Sequence, residues 1–290
     1  MTAKGIDVSK YQGKIDFKKV KKAGYSFVII NAGYGRYISQ KDAFFEDNYK
    51  NAKAAGLNVG AYWYSYALTK SEASREAEIF LQAIKGKKFE YPVCFDIEDK
   101  TQECLPSGTI GEIIDGFCEK CEKAGYYVCV YSCASFLSGK LPESIRKKYD
   151  VWVAHYGVQK PAYNGSYGIW QYTSTAKIDG ISTNTDCNYA YRDYPGIMRK
   201  NGLNGFLKEA AKVIDCTGFK AGDTGLGVYA LKTLMRIENS KGIIKQQISS
   251  DSIFDKTVLQ GVNEFLKSKN YKANGIAGKG FIKLLEENLT

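Results

Sequence analysis

The sequence predicts an α/β protein, an irregular β/α barrel over residues 1–195 followed by a small helical domain over residues 218–290, with residues 196–217 as a linker or joining helix. Three observations carry this. Apolar β-rich runs alternate with helical stretches through the first two-thirds of the 290 residues, the order that builds parallel sheets. A joint recurs: Ala23-Gly24, Ala55-Gly56 and Ala124-Gly125 each close a helix just before a strand, glycine supplying the left-handed residue. Beyond Tyr194-Pro195-Gly196 the alternation stops and no convincing strand follows. The first part is short for a regular barrel of about 250 residues, hence an irregular one.

In chain order, strands are expected at Gly5 to Ser9, Ser26 to Ala32, Val59 to Tyr66, Tyr91 to Ile97, Tyr127 to Tyr131, Val151 to Ala154 and Ile169 to Tyr172. Helices are expected between them at 16–23, 43–55, 71–84, 110–124 and 142–149. Thr69-x-x-Glu72 and Thr109-x-x-Glu112 have the spacing of capping boxes. In the tail, helices are expected at 205–214, 226–238, 255–268 and 279–288. There Asp251 to Thr257 and Asn274 to Gly280 read as two copies of one turn-then-helix unit.

Composition narrows the function. With 44% hydrophobic and 25% charged residues the chain can form cores, so disorder throughout is excluded. The net charge is +10, and residues 196–290, with 15 basic against 9 acidic side chains, carry most of it. Such a chain suits an anionic polymer, but no phosphate loop or nucleic-acid reading motif accompanies the charge, so no nucleic acid is expected. No apolar run approaches the roughly 18 residues of a membrane span, and the start lacks the apolar stretch of a secretory signal. The expectation is synthesis in the cytoplasm without membrane insertion. A single histidine, His155, removes zinc sites built on paired histidines and leaves a Ser-His-Asp triad one possible base. Eight cysteines read as thiols; Cys118-x-x-Cys121 with Cys129 and Cys133 is a zinc spacing weighed against buried small apolar residues, and no metal or cofactor is expected.

Carboxylates are the better chemistry. In Phe95-Asp96-Ile97-Glu98-Asp99, strand alternation points Asp96 and Glu98 the same way at a strand's C-terminal end, where barrel active sites assemble. Repulsion between them should leave one protonated and the other ionised, the division glycoside hydrolysis uses. An ordinary acidic turn is the plain alternative. Asp7 in the first strand and Asp186 near the domain's end offer two further acids, and each taken alone reads as a cap or turn residue. Aromatics crowd the same strand ends: Tyr62, Tyr64 and Tyr66, Tyr131, Trp152, Tyr156, Trp170 and Tyr172. They suit sugar faces, and suit barrel core as well.

The ordered set Gly5-Ile-Asp7-Val-Ser9-Lys-Tyr11-Gln12-Gly13, Phe95-Asp96-Ile-Glu98, Val151-Trp152-Val-Ala154-His-Tyr156, Trp170-Gln171-Tyr172 and Asp186-Cys-Asn188 resembles the family-25 glycoside hydrolases, the lysozymes of phage endolysins and bacterial autolysins. The resemblance implies cleavage of the β-1,4 bond between N-acetylmuramic acid and N-acetylglucosamine in bacterial peptidoglycan. It implies Glu98 as general acid, Asp96 as stabiliser or acetamido-orienting group, Asp7 and Asp186 as the site's other acids, and Tyr62, Tyr64, Trp152 and Trp170 along the sugar groove. Cys187 departs from the aliphatic residue more usual there, and His155 stands at a variable position.

The tail, through Lys220-Ala-Gly222-Asp-Thr-Gly225, Ile253-Phe254-Asp255 and Asn274-Gly275-Ile276, resembles the three-helix peptidoglycan-binding module of wall lytic enzymes. It departs from that pattern at Asp251-Ser252 and Phe265-Leu266. Wall polymers would account for the positive charge, and release through a holin or by lysis for access to the wall. A non-catalytic wall-glycan binder and a chitinase-like glucosaminidase remain the alternatives.

Overall fold

The computed structural model describes residues 2–206, 215 and 217–289. The chain forms two compact units that part between residues 209 and 210.

The first unit is a closed eight-stranded barrel: β1 (Ala3–Val8), β2 (Phe27–Tyr34), β3 (Asn58–Tyr64), β4 (Val93–Asp96), β5 (Val128–Cys133), β6 (Asp150–Ala154), β7 (Ile169–Ala176) and β8 (Thr185–Ala190). Neighbours from β1 to β7 run parallel, and β8 closes the barrel antiparallel to both β7 and β1. The outer layer holds α1 (Phe17–Lys22), α2 (Phe45–Ala54), α3 (Lys70–Ala83), α4 (Lys100–Glu103), α5 (Ser107–Lys123), α6 (Ala134–Lys140) and α7 (Glu143–Lys148), while α8 (Tyr194–Asn201) packs on the interior core.

Alternation along each strand divides two cores. Outward residues such as Val28, Trp63, Phe95 and Val130 join Ala77 and Phe80 of α3 and Ile113 and Phe117 of α5. Phe117 stacks on Phe95 with ring centroids 4.4 Å apart. Helices α3 and α5 approach so closely that a Cβ on Gly116 would lie 2.5 Å from the Lys70 carbonyl, so this contact requires glycine. Inward residues, among them Phe27, Ile29, Cys94, Cys129, Trp152 and Ile169, fill the barrel.

The expected elements are present with informative differences. Gly24, Gly56 and Gly125 take φ of 91°, 75° and 85°, the left-handed region the joint requires. Strand β4 begins at Val93 because Pro92 has no N–H to give the ladder. Thr69 caps α3, and Glu72 bonds the Leu68 amide. The Thr109 box does not form: Pro106, extended at the N-cap, starts α5 three residues earlier and leaves Thr109 inside its first turn. Cys118 and Cys121 face the apolar outer core while Cys129 faces the barrel interior, so the zinc spacing does not converge. Seven described cysteines are free thiols; Cys216 lies outside the described residues.

The barrel floor continues past residue 195. Tyr194 and Met198 of α8 are fully buried in the interior core. Asn204, also fully buried, ties two strand entrances together, donating to the Tyr91 carbonyl (2.8 Å) and accepting from the Tyr127 amide (2.7 Å). The helix expected at 205–214 falls mainly on residues outside those described.

The second unit packs α9 (Leu226–Ser240), α10 (Lys256–Ser268) and α11 (Lys279–Leu289) around Val228, Met235, Phe254, Phe265 and Phe281. Two-residue strands β9 (Gly218–Phe219) and β10 (Ala277–Gly278) pair antiparallel, a correction to the strandless reading; two residues are too few to show a period. Both copies of the turn-then-helix unit lead into helices, α10 capped by Asp255. Lys232 is wholly buried, its ammonium satisfied by Ser249 Oγ, Asp251 Oδ1 and the Ile253 carbonyl at 2.7, 2.7 and 2.9 Å. Among the described residues no helix is long and apolar enough to cross a membrane.

One outer-layer carboxyl makes stability pH-dependent. Glu76 of α3 is fully buried, its Oε1 accepts from the Tyr66 amide at 3.0 Å, and burial pushes it up to about 7 from an ordinary 4.5. An acid raised on folding binds its proton more tightly in the native state, so its contribution is fullest below pH 4.5 and is lost as pH rises through about 7. The loss is of order 3 kcal/mol. Glu76→Gln should remove that slope while keeping the Oε1 acceptor; denaturant melts at pH 5 and pH 8 check it, and an unchanged slope would refute it.

Candidate active site

The inward alternation that fills the barrel with apolar groups lower down ends, at the strands' C-terminal mouth, in polar ones. Asp7 stands opposite Asp186 in the β1–β8 pairing, and Asp96 lies beside Tyr64 and Tyr131 in register. Glu98 follows two residues after Asp96, beyond the end of β4. The four acids thus come from three distant segments and interact electrostatically as one group.

Asp7 is the most firmly held. Its Oδ2 accepts from Gln171 Nε2 at 2.9 Å and Asn188 Nδ2 at 2.7 Å. Gln171 Oε1 in turn accepts from the hydroxyls of Tyr131 (2.8 Å) and Tyr156 (2.5 Å), and Asn188 Oδ1 accepts from Trp152 Nε1 (2.8 Å). Every amide group here has one possible orientation, because phenol and indole donors face the carbonyl oxygens and a carboxylate faces the nitrogens.

Burial pushes all four acids upward. Asp7 and Asp96 rise well above the usual carboxylate range, first through desolvation, then through Asp186 for Asp7 and Glu98 for Asp96. For Asp7 the bonds from Asn188 and Gln171 pull the other way. Glu98 is raised by burial and then by Asp186, and burial pushes Asp186 up to about 6. Asp96 is 4% exposed, and its Oδ1 has no hydrogen-bond partner among the described residues. Asp96 and Glu98 are thus both pushed toward their protonated forms, Asp96 by burial and then by Glu98 and Asp7, Glu98 by burial and then by Asp186, and they titrate as a coupled group.

Two hollows flank these acids. One, of about 550 Å³, is lined by Tyr11, Tyr34, Tyr62, Tyr64 and Tyr66 with Lys10 and Asn31. The other, of about 580 Å³, is lined by Glu98, Tyr131, Cys133, His155 and Tyr156. Tyr62 and Tyr64 line the first of these hollows, the Tyr64 hydroxyl donating to Asp99 Oδ2 at 3.3 Å.

The two tryptophans stand elsewhere. Trp152 is 1% exposed, packed against Tyr131 at 4.4 Å beneath the acids, where it orients Asn188 and offers no open face. Trp170 points to the outer side of β7, against Tyr172 and Tyr189, because alternation gives the inward place to Gln171. Gln171 and Asn188 were present in the sequence motifs but carried no assigned role; their even spacing from inward residues on β7 and β8 is the signal that could have found them.

Carboxylates gathered at the C-terminal mouth of a closed barrel, between tyrosine-lined hollows, define a glycoside-hydrolase type of site. The chain belongs to glycosyl hydrolases family 25, whose model matches residues 6–181. It is 33% identical over 183 residues to an autolytic lysozyme of Clostridium acetobutylicum, covering 63% of this chain and 54% of that protein, so it spans about half that relative's length. The bacterial lysozyme of Streptomyces coelicolor superposes with a TM-score of 0.57 at 30% identity, over 64% of this chain and 90% of that one. The modular autolysin LytC from Streptococcus pneumoniae, solved in complex with a synthetic peptidoglycan ligand, gives 0.57 at 30% identity over 66% of this chain and 47% of its own.

Gln171→Leu should take one donor from Asp7 and the shared acceptor from Tyr131 and Tyr156. Asp7 should then titrate higher still, because a hydrogen bond that favours its charged form is gone. Carboxyl NMR titration would show it; an unmoved Asp7 would refute the network as the holder of its charge.

Proposed function

We propose that this chain hydrolyses the β-1,4 bond between N-acetylmuramic acid and N-acetylglucosamine in bacterial peptidoglycan, with Glu98 as general acid. The convergence of Asp7, Asp96, Glu98 and Asp186 between two hollows of sugar size supports this reading most directly. Family membership and the ligand of the LytC complex point to the same substrate.

Glu98 lines one hollow and is biased by burial and Asp186 toward its protonated form, the form a general acid needs. As the glycosidic bond breaks, its proton passes to the leaving oxygen. Asp96, with an unpartnered buried Oδ1, suits the acetamido N–H of the substrate sugar. That hydrogen bond supplies what the free site lacks, moves Asp96 toward the carboxylate, and aims the acetamido oxygen at the anomeric carbon. Attack by that oxygen forms a cyclic intermediate. Water then adds at the anomeric carbon and returns a proton to Glu98, closing the cycle.

The second unit serves as a wall anchor in this reading. Its likeness to peptidoglycan-binding modules and the positive charge of residues 196–290 support a role in raising local concentration on insoluble wall.

Glu98→Gln should fold like the natural chain yet lower the rate of clearing of Gram-positive walls by at least about 100-fold, the lower bound for losing a general acid. A folded, active Glu98→Gln protein would end the assignment. Mass analysis of the products should show reducing N-acetylmuramic acid ends; reducing N-acetylglucosamine ends would favour the glucosaminidase reading. Residues 1–209 alone should pellet with walls more weakly than the whole chain, and equal pelleting would remove the anchor.

A further inference from the structure

Glu98 lies past the end of β4, on a turn that no strand ladder fixes, although the proposed acid must stand at a defined place over the mouth. One buried side chain spans the gap beneath that turn. Gln102, in α4 and fully buried, accepts from the Asp99 amide through Oε1 at 3.1 Å. Its Nε2 donates across to the segment that follows β3: to the Ala67 carbonyl at 2.9 Å, and to the Ser65 carbonyl and Oγ at 3.4 Å each. The two segments are joined again where the Ser65 amide donates to the Asp96 carbonyl at 2.9 Å. On the other side, the Ile97 amide donates to the Tyr131 carbonyl at 3.1 Å.

Glu98 is thus the residue between two pinned amides, Ile97 held to β5 and Asp99 held to Gln102. The same clamp fixes the chain just after Tyr64, whose hydroxyl reaches Asp99 from the sugar-lining side. We propose that Gln102 is a positioning residue of the hydrolytic reaction, its carboxamide locking the Glu98 turn to the tyrosine-bearing segment so that acid and sugar wall keep one spacing. This rests on the muramidase reading above and adds a residue that touches no substrate.

The chemistry explains why glutamine stands there. The site needs an acceptor at one end and a donor at the other, in a volume closed to water. Glutamate would face the Ser65 and Ala67 carbonyls with a second acceptor, and methionine would fill the space with neither function.

The test uses the full chain with Gln102→Met, assayed on soluble peptidoglycan fragments, beside a floor variant, Met198→Ala, as a control for general destabilisation. Gln102→Met should lower kcat about 10- to 100-fold with KM within about twofold, the pattern of a misplaced catalytic group. The alkaline limb of its pH profile should move down, because a loosened Glu98 gains solvent and gives up its proton more readily. Met198→Ala should show neither change.

A kcat within about twofold of the natural chain, or a loss no greater than in Met198→Ala, would overturn the proposal. Should Gln102→Met not fold, Ser65→Ala loosens the opposite side by removing the Oγ that accepts from both Gln102 Nε2 and the Ala67 amide. A fall in kcat of about threefold with KM constant supports the clamp, and an unchanged kcat refutes it. Absence of lysis by the natural chain would instead sink the muramidase reading itself.

Discussion

Barrel closure is the constraint on which the rest depends. Strand β8 runs antiparallel to β1, and this pairing sets Asp186 opposite Asp7. Two like charges face each other at the mouth, while β4 brings Asp96 and Glu98 toward the same space. No described lysine or arginine forms an ion pair with any of these four acids. Their charge is managed by protons and by neutral donors, chiefly the amides of Gln171 and Asn188. Such a cluster is costly to fold and responsive to any group that supplies a hydrogen bond or takes a proton.

Much of the barrel was legible in the sequence because its signals are local. Glycine at the helix-to-strand joint, apolar alternation and the Thr69 cap each act within a few residues. Two of the acids were legible as candidates for a related reason: Asp7 and Asp96 each interrupt an apolar strand pattern, whereas Asp186 stands on β8, a strand whose polar residues hid it from the apolar signal. Their proton balance was not. Whether Asp96 or Glu98 holds a proton more tightly depends on depth below the mouth and on Asp7 from another strand, and neither is written in the spacing of two residues on β4.

The tryptophans show the same limit in packing. Indole rings suit sugars and cores equally, and only the phase of a strand decides between them. Strand β7 gives Gln171 the inward phase and sends Trp170 out; β6 sends Trp152 inward but too deep to be seen from the cleft. The floor was hidden for another reason. Asn204 acts through contacts more than seventy residues away along the chain, beyond the reach of any local pattern.

Each of the two units closes its own apolar core, one around the barrel and one around Met235, Phe254 and Phe281. The two cores are therefore separable by inheritance: recombination that swaps everything after residue 209 replaces the second core whole and keeps every residue that gathers around Glu98, all of which belong to the first unit.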